Sequence, residues 1–198
     1  MTNNTHENDA AKGAQLKVAP IKLVKDIKAI KELLHDNPRN LAIFTIGINT
    51  HLRPSELVHL TVSQVKDLQP KDVLFLEDET TGRKRKIVFN KSCVEAIQDL
   101  LISDNFEPDD LLFKSQRGQF VVPSISRLVK KWCEAINLRG NYGSHTLRKT
   151  WGYHQYRTFN TDIGVLMECF NHSSPRQTLE YLCIEDTASD ADWFDNEL

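Results

Sequence analysis

The sequence predicts an α+β domain, mainly α, with a small antiparallel β-sheet. Three observations carry this reading. Apolar residues recur at steps of three and four through most of the chain, the period of a helix with one face in a core. One pair of short apolar or alternating runs, at 73–76 and 86–89, flanks a Thr-Thr-Gly turn and reads as a β-hairpin. Helical segments precede and follow that hairpin, an order that groups them apart from the sheet. A chain of 198 residues suits one domain with tails and can bury a core without staples. No internal repeat or low-complexity segment interrupts it.

Residues 1–20 are polar, lack periodicity and end at Pro20, so they are expected to form a flexible leader. From 21 to 34 the apolar positions Leu23, Ile27, Ile30, Leu33 and Leu34 define an amphipathic helix. Residues 35–40 break it. The run 41–48 is almost continuously apolar, which suits a buried helix or a buried strand, and periodicity does not decide between them. Residues 50–54 form a turn, with Pro54 suited to open a helix reaching Leu60. After the hairpin, Val94, Ile97, Leu100 and Leu101 place a helix over 91–102. A short apolar piece follows at 111–113. Ser124 starts the next helix, to Ile136, with Ile125, Leu128, Val129 and Trp132 inward. Three more helices are expected at 145–156, 162–170 and 175–181. The last 14 residues, 185–198, form an acidic tail carrying Trp193, Phe194 and Leu198.

Composition narrows the function. No apolar run approaches the ~18 residues of a membrane span, so no membrane partner is expected. The N-terminus lacks the apolar region of a signal peptide, which points to the cytoplasm. Cys93, Cys133, Cys169 and Cys183 are widely spaced and form no CxxC pair, so reduced thiols are expected and a metal site is not. The formal net charge of −2 argues at first against nucleic acid, yet the negative charge is concentrated at the C-terminal end. Between 21 and 184 there are 23 basic and 19 acidic residues, a net of +4. DNA affinity would then depend on clustered charges or on other protein.

Certain residues carry chemistry. Breaking a phosphodiester without metal or cofactor requires cationic donors around the non-bridging oxygens. Arginine suits this, because its planar fork binds phosphate bidentately and stays charged. A strand that must be rejoined also favours a covalent intermediate that conserves the bond energy. A tyrosine hydroxyl can serve, if a base or nearby arginines offset its pKa near 10. Four segments offer these parts. The stretch from Thr50 to Leu60 (THLRPSELVHL) delivers Arg53 on a turn before a helix. In HTLR, His145 and Arg148 are three apart and share a helix face. The stretch from Phe170 to Tyr181 (FNHSSPRQTLEY) sets His172 nine residues before Tyr181. The hairpin carries the basic run Arg83, Lys84, Arg85, Lys86.

Together and in this order, these segments resemble the catalytic domain of the tyrosine site-specific recombinases of the phage integrase type. The resemblance spans residues 21–184 and implies the tyrosine recombinase catalytic-domain fold, double-stranded DNA as partner, and a homotetramer acting on two duplexes. It implies no cofactor and no metal. By resemblance, Arg53, Arg148 and His172 would hold the scissile phosphate, His145 would take part in proton transfer, and Tyr181 would be the nucleophile. Glu56 would be a structural partner of the site. Phe170 and Asn171 stand where the family usually has Leu-Gly. The family also places a lysine in the hairpin, just before Thr-Gly or in a Gly-Lys-Gly turn, to protonate the leaving oxygen. Here Thr80 precedes Thr81 and Gly82. Lys84 is the nearest candidate for that role and Lys86 the second, while Arg83, Arg85 and Lys86 are expected on the DNA backbone. Loss of a general acid typically costs ~10²–10⁴-fold in rate. The resemblance covers no separate N-terminal DNA-binding domain. The tail is expected to dock on a neighbouring protomer. The residues leave three other readings open: a DNA-binding relative that does not cleave, a type IB topoisomerase, and a helical interaction domain in which these side chains are dispersed.

Overall fold

A computed structural model describes residues 17–77, 82, 84–115 and 120–185. Among them the order is α1 (Val24–Leu33), α2 (Pro38–Asn49), α3 (Pro54–Val58), α4 (Val62–Val65), β1 (Val73–Glu77), β2 (Lys84–Val88), α5 (Lys91–Ser103), α6 (Val122–Ala135), α7 (Ser144–Arg157), α8 (Ile163–Phe170) and α9 (Pro175–Tyr181). The chain is therefore mainly helical with one two-stranded antiparallel sheet, as the periodicity predicts.

Helix α2 is the centre of the molecule, packed on α5 and α7. Residues 42–47 are all buried, which explains the unbroken apolar run and resolves it as helix. Phe44, fully buried, meets Trp132 of α6 edge to face at 5.9 Å. Burying one such ring contributes about 1.5–3 kcal/mol. Gly47 lets α7 approach: a Cβ there would lie 2.6 Å from Leu147 Cδ1. The break before α2 is shorter than the expected 35–40. Asn37 accepts the Asn40 N–H at 3.0 Å and Pro38 follows it, so capping starts the helix early. Helix α6 likewise begins at Val122, with Pro123 in its first turn, two residues ahead of Ser124. The one-turn helix α4 was not anticipated, being too short for periodicity to show. It is fastened by Val62 N–H to Asp110 O and by the bridge of Thr61 to Leu111.

The hairpin pairs Val73 with Val88 and Glu77 with Lys84. Strand β2 begins two residues before the expected Lys86, and its inward positions are Arg85 and Ile87. Residues 18–20, expected in the flexible leader, are fastened to the domain: Ala19 N–H donates to Asn141 O at 2.8 Å, and Val18 O accepts from Lys149. Residues 1–16 and the tail beyond Glu185 lie outside the described residues. A second, smaller apolar cluster unites α8 and α9 through Leu166, Phe170, Leu179, Leu182 and Ile184, with Trp151 and Tyr181 against it. Among the described residues no helix is long and apolar enough to cross a membrane.

Candidate active site

The site forms where α3, β2, α7 and the α8–α9 pair meet. Arg53 sits at the N-terminus of α3, just before Pro54. Glu56, one turn on, accepts the Arg53 backbone N–H at 2.7 Å and lies 3.7 Å from its guanidinium. The same carboxylate holds Arg85 from β2. Alternation along β2 turns Arg85 inward, where it is 7% exposed, while Lys84 and Lys86 face out. This corrects the expectation that Arg85 shares the outer basic edge of the hairpin. Its Nε and Nη1 are buried with no hydrogen-bond partner among the described residues. Arg83 and Thr80 lie outside the described residues.

Helix α7 delivers the next group. Arg148 is buried, donates to Cys169 O at 3.1 Å, and lies over the Phe170 ring at 5.0 Å. Burial lowers its pKa to about 10, with Tyr181 and Glu56 opposing that shift and Arg85 and Arg53 adding to it. It therefore stays charged at neutral pH. His145, three residues earlier, presents an exposed face at the start of α7. Desolvation of its covered side, then Arg148 and Lys149, lower its pKa. At neutral pH it is a base able to accept a proton.

Helices α8 and α9 bring the last pair. Asn171 ends α8 in the left-handed conformation, φ 59° and ψ 48°. Asparagine is the residue that best replaces glycine there, so its presence is accounted for. Ser174 caps α9 by accepting the Gln177 N–H at 3.2 Å, and Pro175 opens it. His172 Nδ1 lies 3.0 Å from the buried Thr178 hydroxyl. Its ring packs on Phe170 at 5.4 Å and on Tyr181 at 5.2 Å. Phe170 is the hub of this aromatic group, touching Trp151 and Tyr181 as well. Burial raises the Tyr181 phenol above its usual pKa, while Arg148 and then Arg53 pull it down.

Two further residues belong to the site that motif reading missed. His51, two before Arg53, is buried with Nε2 3.0 Å from Lys86 O and its ring 5.0 Å from Trp151. Desolvation lowers its pKa to about 4. It ties the turn carrying Arg53 to β2. Lys149 follows Arg148, is buried, and lies over the Tyr181 ring at 4.8 Å. Neither has a local signal beyond adjacency to the arginines. Lys84 and Lys86 border a cleft of about 290 Å³ with His51, Arg85, Glu168 and Cys169. Among the described residues no group of three His, Cys, Asp or Glu could hold a metal.

Arg53 and Arg85 thus share the carboxylate of Glu56, and Arg148 lies within electrostatic reach of it and of Tyr181. With Lys84 and Lys86 at the adjoining cleft, the cations here outnumber Glu56 and Glu168, and a phosphate diester matches both the sign and the donor geometry of the arginines. A phenol at the edge of such a cluster can be a nucleophile.

Comparison with known proteins agrees with this picture. The family model described as "Phage integrase family" matches residues 23–187. A probable integrase/recombinase of Bacillus subtilis, YoeC, is 36% identical over 177 residues, covering 88% of this chain and 94% of that protein. The tyrosine recombinase XerC of Caldanaerobacter subterraneus subsp. tengcongensis is 33% identical over 172 residues, 79% of this chain but 46% of that protein. Among solved structures, XerA recombinase has the same fold, with a TM-score of 0.71 at 21% identity, covering 96% of this chain and 68% of that one. XerH recombinase bound to its difH substrate matches with a TM-score of 0.66 at 20% identity, over 83% and 51% of the two chains.

Proposed function

This chain belongs to the phage integrase family, and we propose that it recombines DNA site-specifically through a covalent bond to Tyr181. The observation that carries this reading is the convergence of Arg53, Arg148 and His172 on Tyr181, with both arginines acting on the phenol electrostatically.

In this mechanism Arg53 and Arg148 bind the non-bridging oxygens of one phosphate in double-stranded DNA. His172 joins them through Nε2, the Thr178 hydroxyl having engaged Nδ1. Tyr181 Oη attacks phosphorus and passes its proton to His145. The bond to the 5′ oxygen breaks, and that oxygen takes up a proton and leaves as a hydroxyl. Lys84, on the rim of the adjoining cleft, is the candidate donor. A 3′-phosphotyrosine holds the strand until the 5′-hydroxyl of a partner strand attacks, expelling Tyr181 and resealing the DNA. No bond energy is lost, so no nucleotide is consumed. Lys86 and Arg83 contact the DNA backbone. Four protomers assemble on two duplexes, and the reaction takes place in the cytoplasm.

A nicked duplex from the DNA flanking the gene, incubated without metal, tests this. Wild type should give a denaturation-resistant protein–DNA band. Tyr181→Phe should abolish it, and Arg148→Ala should reduce it at least ~10²-fold with the fold intact. A band that survives Tyr181→Phe would remove Tyr181 as the nucleophile.

A further inference from the structure

Lys149 is a buried cation with no part in the mechanism above. Its ammonium donates to Val18 O at 2.8 Å, reaches Cys183 Sγ at 3.8 Å and lies 4.8 Å from the centre of the Tyr181 ring. Those three partners come from the segment entering the domain, the turn leaving α9, and the nucleophile itself. Cys183 is two residues past Tyr181 and has a φ of 56°, in the left-handed region. A residue bearing Cβ holds that conformation only where its surroundings compensate. The compensation is visible. Cys183 Sγ donates to Val18 O at 3.7 Å, and Cys183 O accepts from Lys22 Nζ at 3.2 Å.

The entering segment is in turn fastened along α7. Ile21 N–H donates to Thr150 Oγ1 at 2.8 Å, and Ile21 O lies 3.0 Å from His154 Nε2. Thr150 and Ile21 are fully buried, so these bonds are made away from solvent, where losing one leaves an orphaned polar group. Residues 18–22 therefore form a strap that runs from α7 to the turn after Tyr181. Lys149 is the point where strap, turn and ring meet.

We propose that Lys149 is a positioning residue for Tyr181, and that the strap of residues 18–22 sets the Tyr181 ring through Lys149 and Cys183. Displacing the strap withdraws the ring from the phosphate, so whatever precedes residue 18 can govern cleavage without touching DNA at the site. The proposal rests on Tyr181 being the nucleophile.

The test uses the full chain labelled with 3-fluorotyrosine. Its four tyrosines should give four ¹⁹F signals, and that of Tyr181 is identified by its loss in Tyr181→Phe. Lys149→Met, which keeps the side-chain length, should shift or broaden the Tyr181 signal. Thr150→Val, which loosens the strap from the other side, should do the same. Both should slow covalent adduct formation about tenfold or more. Lys149→Arg, which retains charge and donors, should recover part of that loss. The slowing should persist on DNA with a 5′-bridging phosphorothiolate, whose thiolate leaving group needs no proton. A Tyr181 signal unchanged in both variants overturns the proposal. So does a Lys149→Met defect that vanishes on the phosphorothiolate, because it would place Lys149 on the leaving group. Failure of the wild type to form any adduct would instead sink the assignment of the nucleophile, and the ¹⁹F comparison would still decide whether the strap sets the ring.

Discussion

His51 shows how one side chain can join two parts of a site and leave a thermodynamic trace. Its Nε2 lies against Lys86 O and its ring against Trp151, so the imidazole is held neutral in a desolvated place. Burial lowers its pKa from 6.5 to about 4, with Arg148 and Arg85 adding to the shift. The unfolded chain takes up a proton near pH 6.5 and the folded one resists until about 4. Between those values the unfolded state binds more protons, so stability falls as pH falls. Below pH 4 both states are protonated and the loss stops. The shift corresponds to about 3 kcal/mol at most. Urea denaturation at pH 7 and pH 4.5 should show a smaller loss for His51→Gln than for wild type. Equal losses would mean that His51 is not held neutral by its surroundings.

Helix α7 makes the same point for an element. Gly152 lies in its interior, where glycine costs about 1 kcal/mol against alanine. The reason is packing: a Cβ there would lie 2.5 Å from Phe170 Cζ and 2.7 Å from Leu182 Cδ2. Gly152→Ala should therefore lose about 1–3 kcal/mol by overpacking despite its better helix propensity. Adding Phe170→Leu, which shortens the obstructing side chain, should return part of the loss. Thermal or urea melts of the single and double variants would check it, and simple additivity would exclude the clash as the cause.

Elements of this kind were legible in the sequence to different degrees. The amphipathic α1, α5 and α6 follow directly from spacing. Helix α2 was ambiguous because it is buried on every side, so no polar face marks its period. The arginines, histidines and tyrosine could be picked out because short motifs carry them. Arg85 could not be placed, because its partner Glu56 is 29 residues away and only the hairpin register turns it inward. Lys149 could not be recognised either, since the strap it holds lies 131 residues earlier.

At the scale of the whole molecule, the site lies on a seam. The main core runs through α1, α2, α5 and α6, with Leu147 of α7 within it. The smaller cluster is built from α8, α9 and the residues after them, and meets α7 through Trp151, Tyr153 and Tyr156. Arg53 and Arg85 belong to elements packed on the first cluster; His172 and Tyr181 ride on the second. A unit with five buried apolar residues among those described has less burial to oppose its opening than the main core. Tyr181 is thus carried by the part that should open at lowest cost, and Arg53 and Arg85 by the part that stays closed. Native-state hydrogen exchange can measure this. Amides of α8 and α9 should exchange through an opening of lower free energy than those of α2 and α5, and should do so together. Adding urea should merge the two classes only near global unfolding. If α8 and α9 instead match the protection of α2, the domain unfolds as one unit, and movement of Tyr181 would have to come from the ring and its turn alone.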